Sequence, residues 1–184
     1  MMPVSTLSRP IALIGLSGAG KSTIGQLLAL HLGWPLLDTD ALVIQAAGRS
    51  VAQIFAEEGE ARFREREAAA LLHALAAIPC IVATGGGVVL REDNRALLRE
   101  RAYVVWLDAP TQTLLARLRA HDEPRPLLAG DDRASRLEEL RAARELLYAG
   151  LADLRVATEG QAPEAICEQI LRAVTDVITV PSEQ

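Results

Sequence analysis

Eight residues, Gly15-Leu16-Ser17-Gly18-Ala19-Gly20-Lys21-Ser22, match the G-x-x-x-x-G-K-[ST] spacing of a Walker A phosphate loop. The chemistry follows from the residue types. Glycines let consecutive backbone N–H groups curl inward around phosphate oxygens. A helix opening near Lys21 aims its positive end at the same anion. Lys21 brings a compact charge to the β- and γ-phosphates, and Ser22 offers a hydroxyl to magnesium. Gly18, Ala19, Gly20 and Thr23 complete the candidate nucleotide contacts. Lys21 is the only lysine in the chain, so every other strong side-chain cation is arginine. An ammonium suits a tight nest of phosphate oxygens in a way that a planar guanidinium does not.

Further groups with chemical potential lie far along the chain. Asp38 and Asp40 follow the short apolar run Pro35-Leu36-Leu37. Ligands of open α/β sheets bind beyond the carboxyl ends of strands, which puts both aspartates on the edge of the phosphate loop. Asp40 also suits the cap of a helix over 41–47. Arg64 and Glu67 lie three apart and share a face of a helix running from Glu60 to about Ile78. Arg62, Glu65 and Arg66 read as its solvated surface, and the apolar stretch 68–77 should be buried. Gly85-Gly86-Gly87 ends the continuous apolar run from Cys80 to Thr84 and lets a ligand approach the backbone closely. A plain flexible turn would have the same composition. The stretch from His121 to Asp132 lacks periodicity and reads as a long loop that closes over a site. A phosphoryl-transfer site needs such a cover, because water would otherwise consume ATP.

The elements that must position these groups alternate. Strands are expected at 10–14, 35–37, 80–84, 102–107 and 154–158. Helices are expected over 23–32 with a stop at Gly33, over 51–58 behind a Ser50/Gln53 capping box with a break at Gly59, and over 91–100. Three more begin at Pro110, span 133–149 with Leu137, Leu140, Leu147 and Tyr148 inward, and run from Pro163 to about Val177. This alternation predicts an α/β domain with a parallel sheet covered by helices on both faces. At 184 residues the chain is one domain by size, and its 50% hydrophobic content excludes disorder. Aromatics are only 3%, so the core must be aliphatic. The net charge of -5 argues against nucleic acid as a partner, though not against local phosphate binding. Cys80 and Cys167 have no metal or redox spacing and read as small buried hydrophobes. No apolar run is long enough to span a membrane, and Met1 to Arg9 lacks the apolar segment of a signal peptide. A soluble, cytoplasmic chain is the expectation.

In order and spacing, Gly15 to Ser22, Asp38-Thr39-Asp40, Phe63-Arg64, Gly85-Gly86-Gly87, Arg125-Pro126-Leu127-Leu128 and Arg144 with Leu147-Tyr148 resemble the motif set of the shikimate kinase family. The resemblance extends from about Arg9 to Val177. It implies transfer of the γ-phosphoryl group of ATP to the 3-hydroxyl of shikimate, in the biosynthesis of chorismate and aromatic amino acids. It implies a P-loop, nucleoside-monophosphate-kinase-like fold: a five-stranded parallel sheet flanked by helices, a substrate-binding helical region at about 38–67 and a lid at about 120–132. By that resemblance Asp40 holds the substrate hydroxyls and is the candidate base, and Asp38 helps organise Mg2+ beside Ser22. Arg64 and Arg144 clamp the substrate carboxylate, with Gly85, Gly86 and Gly87 around the ring. Arg125 reaches the transferring phosphate. Arg117, with Arg119 as its neighbouring alternative, and Gln161 border the adenine. ATP and shikimate are then the small-molecule partners and Mg2+ the cofactor; nucleic acid and membrane are not partners, and a monomer is expected. A gluconate-type sugar kinase shares the loop and fold. A catalytically silent nucleotide- or metabolite-binding member is the alternative of another class, disfavoured by the presence of Lys21, Asp40 and Arg125.

Overall fold

The computed structural model describes residues 9–120 and 132–179. The expected lid, with Arg125, falls almost wholly on 121–131 and lies outside the described residues. Among those described, strands β1 (Ile11–Ile14), β2 (Leu36–Asp38), β3 (Ile81–Ala83), β4 (Tyr103–Asp108) and β5 (Leu154–Ala157) form one sheet in the order β2-β3-β1-β4-β5. Every pairing is parallel, as βαβ connections require. β1 is central and wholly buried, which explains why Ile11 to Ile14 is a continuous apolar run rather than an alternating one.

Helix α1 (Lys21–Leu32) carries the chain from β1 outward to β2, whereas the later crossovers run in the opposite direction across the sheet. Right-handed crossovers therefore put α1 on one face and α2 (Thr39–Ala47), α3 (Val51–Ala74), α4 (Glu92–Arg101), α5 (Thr111–Arg119) and α6 (Arg133–Ala149) toward the other. The last helix, α7 (Pro163–Thr179), returns to pack against α1. Its Ile166, Cys167, Ile170 and Val174 are buried in the main core. Both cysteines are buried and unbridged, and burial pushes the Cys80 thiol up to about 11, so it stays protonated.

Local chemistry accounts for most boundaries. Gly33 closes α1 in the left-handed conformation at φ 67, and Ser50 with Gln53 makes the reciprocal capping box that opens α3. Two expectations are corrected. Asp38, not Asp40, caps α2: its Oδ1 accepts from the backbone N–H groups of Asp40 (2.9 Å) and Ala41 (3.2 Å), because Asp38 is still extended and the helix begins at Thr39. The break expected at Gly59 is present: its φ of 82 and ψ of 171 are not helical, so α3 is two helical stretches joined at a kink there. The stretch 68–77 is not buried throughout. Ala70, Leu71, Ala74 and Leu75 face the core, while Leu72 is exposed and the helix ends at Ala74. A short 3-10 helix at Val88–Leu90, unanticipated, follows the triple glycine.

Candidate active site

The phosphate loop spans the gap between β1 and α1 at the carboxyl edge of the sheet. Two of its glycines are required by geometry. Gly15 has φ 139 and its α-carbon lies so close to the Leu107 carbonyl that a Cβ would overlap it. Gly18, at φ 83, leaves only 2.9 Å between a hypothetical Cβ and the Leu114 carbonyl oxygen. Gly20 is the left-handed N-cap of α1 and Ala19 is buried beneath the loop. The Lys21 Nζ donates to the carbonyls of Gly15 (2.8 Å) and Leu16 (2.9 Å), so the ammonium crosses the concavity of the loop. Ser22 and Thr23 are exposed at the start of α1.

Asp38 has a second task besides capping α2. Its other oxygen, Oδ2, accepts from the Ser22 hydroxyl at 3.3 Å, which brings a carboxylate and a hydroxyl together at the mouth of the loop. Asp40, the second residue of α2, lines instead an adjoining cavity. The cavity is lined by Leu16 and Ser17 of the loop, Asp40, Arg64 and Glu67, all three glycines, and Arg144 from α6. Groups 104 residues apart in sequence (40 to 144) thus share one space.

The arginines are anchored before any ligand arrives. Arg64, 8% exposed, donates Nη1 to Glu67 Oε2 at 2.8 Å, and Nε and Nη2 to Glu60 Oε1 at 3.2 and 2.9 Å. Burial alone would lower its pKa, but the Glu67 and Glu60 carboxylates outweigh that and raise it, so it stays charged. Arg144 donates Nη1 to the Gly86 carbonyl at 3.0 Å. Gly85 and Gly87 are needed for close approach, not for a left-handed backbone. A Cβ at Gly87 would overlap the Arg64 guanidinium, and one at Gly85 would collide with Glu67 Oε1 and lie 2.8 Å from Asp40 Oδ1. The plain flexible turn is thereby excluded.

Two further residues were not singled out as site groups from the sequence. Glu67 is fully buried, and its Oε1 has no hydrogen-bond partner among the described residues. Burial pushes its pKa up despite Arg64, and the Asp40 charge adds to the rise. Thr39, also buried, accepts from the Gly85 N–H at 2.9 Å and ties the aspartate segment to the glycine turn. The signal for Glu67 was its three-residue spacing from Arg64; nothing marked it as buried.

The remaining candidates sit on the other side of the phosphate loop. Arg117 of α5 donates to Thr158 Oγ1 (2.9 Å), the Thr158 carbonyl (2.7 Å) and the Gly18 carbonyl (3.3 Å). Arg119 is exposed, so Arg117 is the arginine beside the loop. Gln161 donates to the Ala157 carbonyl at the end of β5. Neither lines the Asp40 cavity.

Comparison with known proteins fits this layout. The family model described as shikimate kinase matches residues 17–175. The chain belongs to the shikimate kinase family. A shikimate kinase from Symbiobacterium thermophilum is 46% identical over 167 residues, covering 90% of this chain and 96% of its own length. One from Gloeobacter violaceus is 48% identical over 162 residues, covering 88% and 90%. The solved structure of an Acinetobacter baumannii shikimate kinase in complex with shikimate superposes with a TM-score of 0.90 at 33% identity, covering 95% of this chain and 97% of that one. Membership of the shikimate kinase family makes this chain an enzyme, an ATP-dependent kinase with the P-loop fold.

Proposed function

We propose that the cavity between the phosphate loop and α6 transfers the γ-phosphoryl group of ATP to the 3-hydroxyl of shikimate, giving shikimate 3-phosphate and ADP. The observation that carries this is the convergence of Asp40, Arg64 and Arg144 on one cavity that abuts the phosphate loop. Phosphoryl transfer depends on placing nucleophile and phosphate in line and on neutralising charge, more than on covalent help. Arg64 and Arg144 receive the planar carboxylate of the substrate, for which a guanidinium offers paired donors. With the acid held there, the ring extends toward the glycine turn, and Asp40 accepts from the hydroxyl that attacks. Lys21 leaves the Gly15 and Leu16 carbonyls for phosphate oxygens, aided by the amides of Gly18, Ala19 and Gly20 and by Thr23. Arg117 and Gln161 border the adenine. Arg125, outside the described residues, is assigned to the transferring phosphate by the family resemblance alone.

Mg2+ is the metal the donor set accommodates. Ser22 Oγ and Asp38 Oδ2 are hard oxygens at the mouth of the loop, and magnesium characteristically takes one or two such protein groups with phosphate oxygens and water. Ser22 and Asp38 would hold it, and when bound it supplies charge neutralisation at the β- and γ-phosphates. Among the described residues no cluster of three or more acidic, histidine or cysteine side chains could hold a metal on its own. No described helix is long and apolar enough to cross a membrane. The reading is of a cytoplasmic monomer, with the substrate-binding region at 38–67 and the lid at 120–132 belonging to a single domain.

The deciding experiment measures phosphate transfer from ATP with shikimate and with gluconate as acceptors. Shikimate should be preferred by several orders of magnitude. Gluconate as the better acceptor would overturn the substrate, and no transfer to either would favour a silent binding protein.

A further inference from the structure

Tyr148 belongs to the motif set but has no work in the mechanism above. It is 1% exposed, on the face of α6 that also carries Arg144 one turn earlier. Its hydroxyl donates to the Gly86 carbonyl at 2.5 Å, the oxygen that also accepts from Arg144 Nη1 at 3.0 Å. A carbonyl oxygen has two lone pairs, so helix α6 engages both. Across a planar trans peptide the C=O and the following N–H point in opposite directions. Holding the Gly86 carbonyl against α6 therefore directs the Gly87 N–H to the other side of the turn. The preceding peptide is held similarly, with the Val88 N–H on the Gly85 carbonyl at 3.2 Å.

Three consecutive glycines are otherwise the most permissive backbone available, and here Gly85 and Gly87 are tightly packed. Gly87 lies against the Arg64 guanidinium, Gly85 against Asp40 and Glu67, and a Cβ at Gly86 would be 3.5 Å from the Ser17 N–H of the phosphate loop. Tyr148 itself does not line the substrate cavity. Its ring stacks on Trp106 of β4, with centroids 5.7 Å apart and planes 26° apart. That stack seats the phenol on the rigid sheet. Burial pushes its pKa up to about 12, with Arg144 opposing, so the hydroxyl remains a donor throughout the physiological range.

We propose that Tyr148 is a positioning residue: through the Gly86 carbonyl its hydroxyl holds the glycine turn, and Arg144 beside it, in the conformation that receives the acceptor substrate. The proposal rests on the functional reading above. Tyr148→Phe keeps the ring and its stack on Trp106 and removes only the hydroxyl. The KM for shikimate should rise roughly tenfold, equivalent to about 1.4 kcal/mol, while the KM for ATP changes less than twofold. Amide hydrogen exchange over residues 84–90, measured without substrate, should accelerate. Trp106→Phe, which alters the seat but keeps the hydroxyl, should leave both readouts closer to the parent. Equal KM values and unchanged exchange in Tyr148→Phe would overturn the proposal. So would a variant that fails to fold, since the hydroxyl would then serve global stability. If the parent chain does not phosphorylate shikimate, the functional reading fails, and the exchange measurement still decides whether Tyr148 anchors the turn.

Discussion

Two ion pairs on the same helix, both spaced i,i+3, show how much burial decides. Arg62–Glu65 lies at the surface with both side chains more than half exposed, and pairs of that kind contribute about 0–1 kcal/mol. Arg64–Glu67 is 2.8 Å long with side chains 10% and 0% exposed. Removing one member of such a buried pair typically costs about 3–5 kcal/mol, because the other charge is left buried and uncompensated. The pH dependence has a definite sign. Burial raises the Glu67 pKa above its ordinary 4.5 in the folded chain. As pH climbs from 4.5, the unfolded chain releases this proton first, so it binds fewer protons than the folded one and stability falls across that window. Glu67→Gln keeps the shape and does not titrate. The melting temperature of the parent minus that of Glu67→Gln should therefore shrink as pH rises from 4 to 7. A difference that grows with pH would mean that Arg64 holds Glu67 ionised in spite of burial. The sequence separated the two pairs only in part: Arg64 and Glu67 share one face and Arg62, Glu65 and Arg66 read as solvated surface, but nothing in the run marked Glu67 as buried. The three-residue period is common to both pairs, and only the tertiary placement of α3 against the glycine turn buries one of them.

At the level of elements, the turn after β3 illustrates what composition can and cannot convey. Three adjacent glycines read as equivalent, yet their environments rank them. A methyl group at Gly87 would overlap the far end of Arg64, one at Gly85 would meet the carboxylates of Glu67 and Asp40, and one at Gly86 would meet nothing nearer than 3.4 Å. Overpacking of this kind costs about 1–3 kcal/mol. Gly86→Ala should be the least destabilised of the three alanine variants in thermal melts. Gly87→Ala should raise the KM for shikimate roughly tenfold or more, because the displaced group is the guanidinium assigned to the substrate carboxylate. A KM near the parent value in Gly87→Ala would separate Arg64 from substrate binding. The element types were legible, since continuous apolar runs, Gly33 and the Ser50/Gln53 box each have a local cause. The strand order β2-β3-β1-β4-β5 was not, because periodicity records which face is buried and carries nothing about lateral neighbours. The aspartate cap moved by two residues for a related reason: whether Asp38 or Asp40 begins the helix depends on where β3 stops pairing with β2, at Asp38 opposite Ala83.

For the whole molecule the question is whether the substrate-binding region is a separate cooperative unit. A small apolar cluster, Val43, Ile54 and Phe63 with Ala70 just beyond, holds it, with Phe55 and Phe63 rings 4.7 Å apart. Four buried side chains contribute on the order of 10 kcal/mol. The stretch from 38 to 67 is shorter than the roughly 40 residues below which a chain needs a disulfide, a metal or a partner to fold. The region can be ordered only by leaning on the main core, through β2 in the sheet and through the Thr39 and Asp40 contacts with the glycine turn. Calorimetry should therefore record one unfolding transition. Shikimate together with ADP at about 100 times their dissociation constants should stabilise that transition by about 2.7 kcal/mol for each independent site, or roughly 5–10 °C per site for a domain of this size. Two transitions, with only the lower one responding to shikimate, would show that the small cluster folds on its own and that the substrate region is a second domain. A single transition that shifts as one body is what the shared sheet edge requires, since neither the phosphate loop nor Arg64 and Arg144 can be lost without loosening the glycine turn between them.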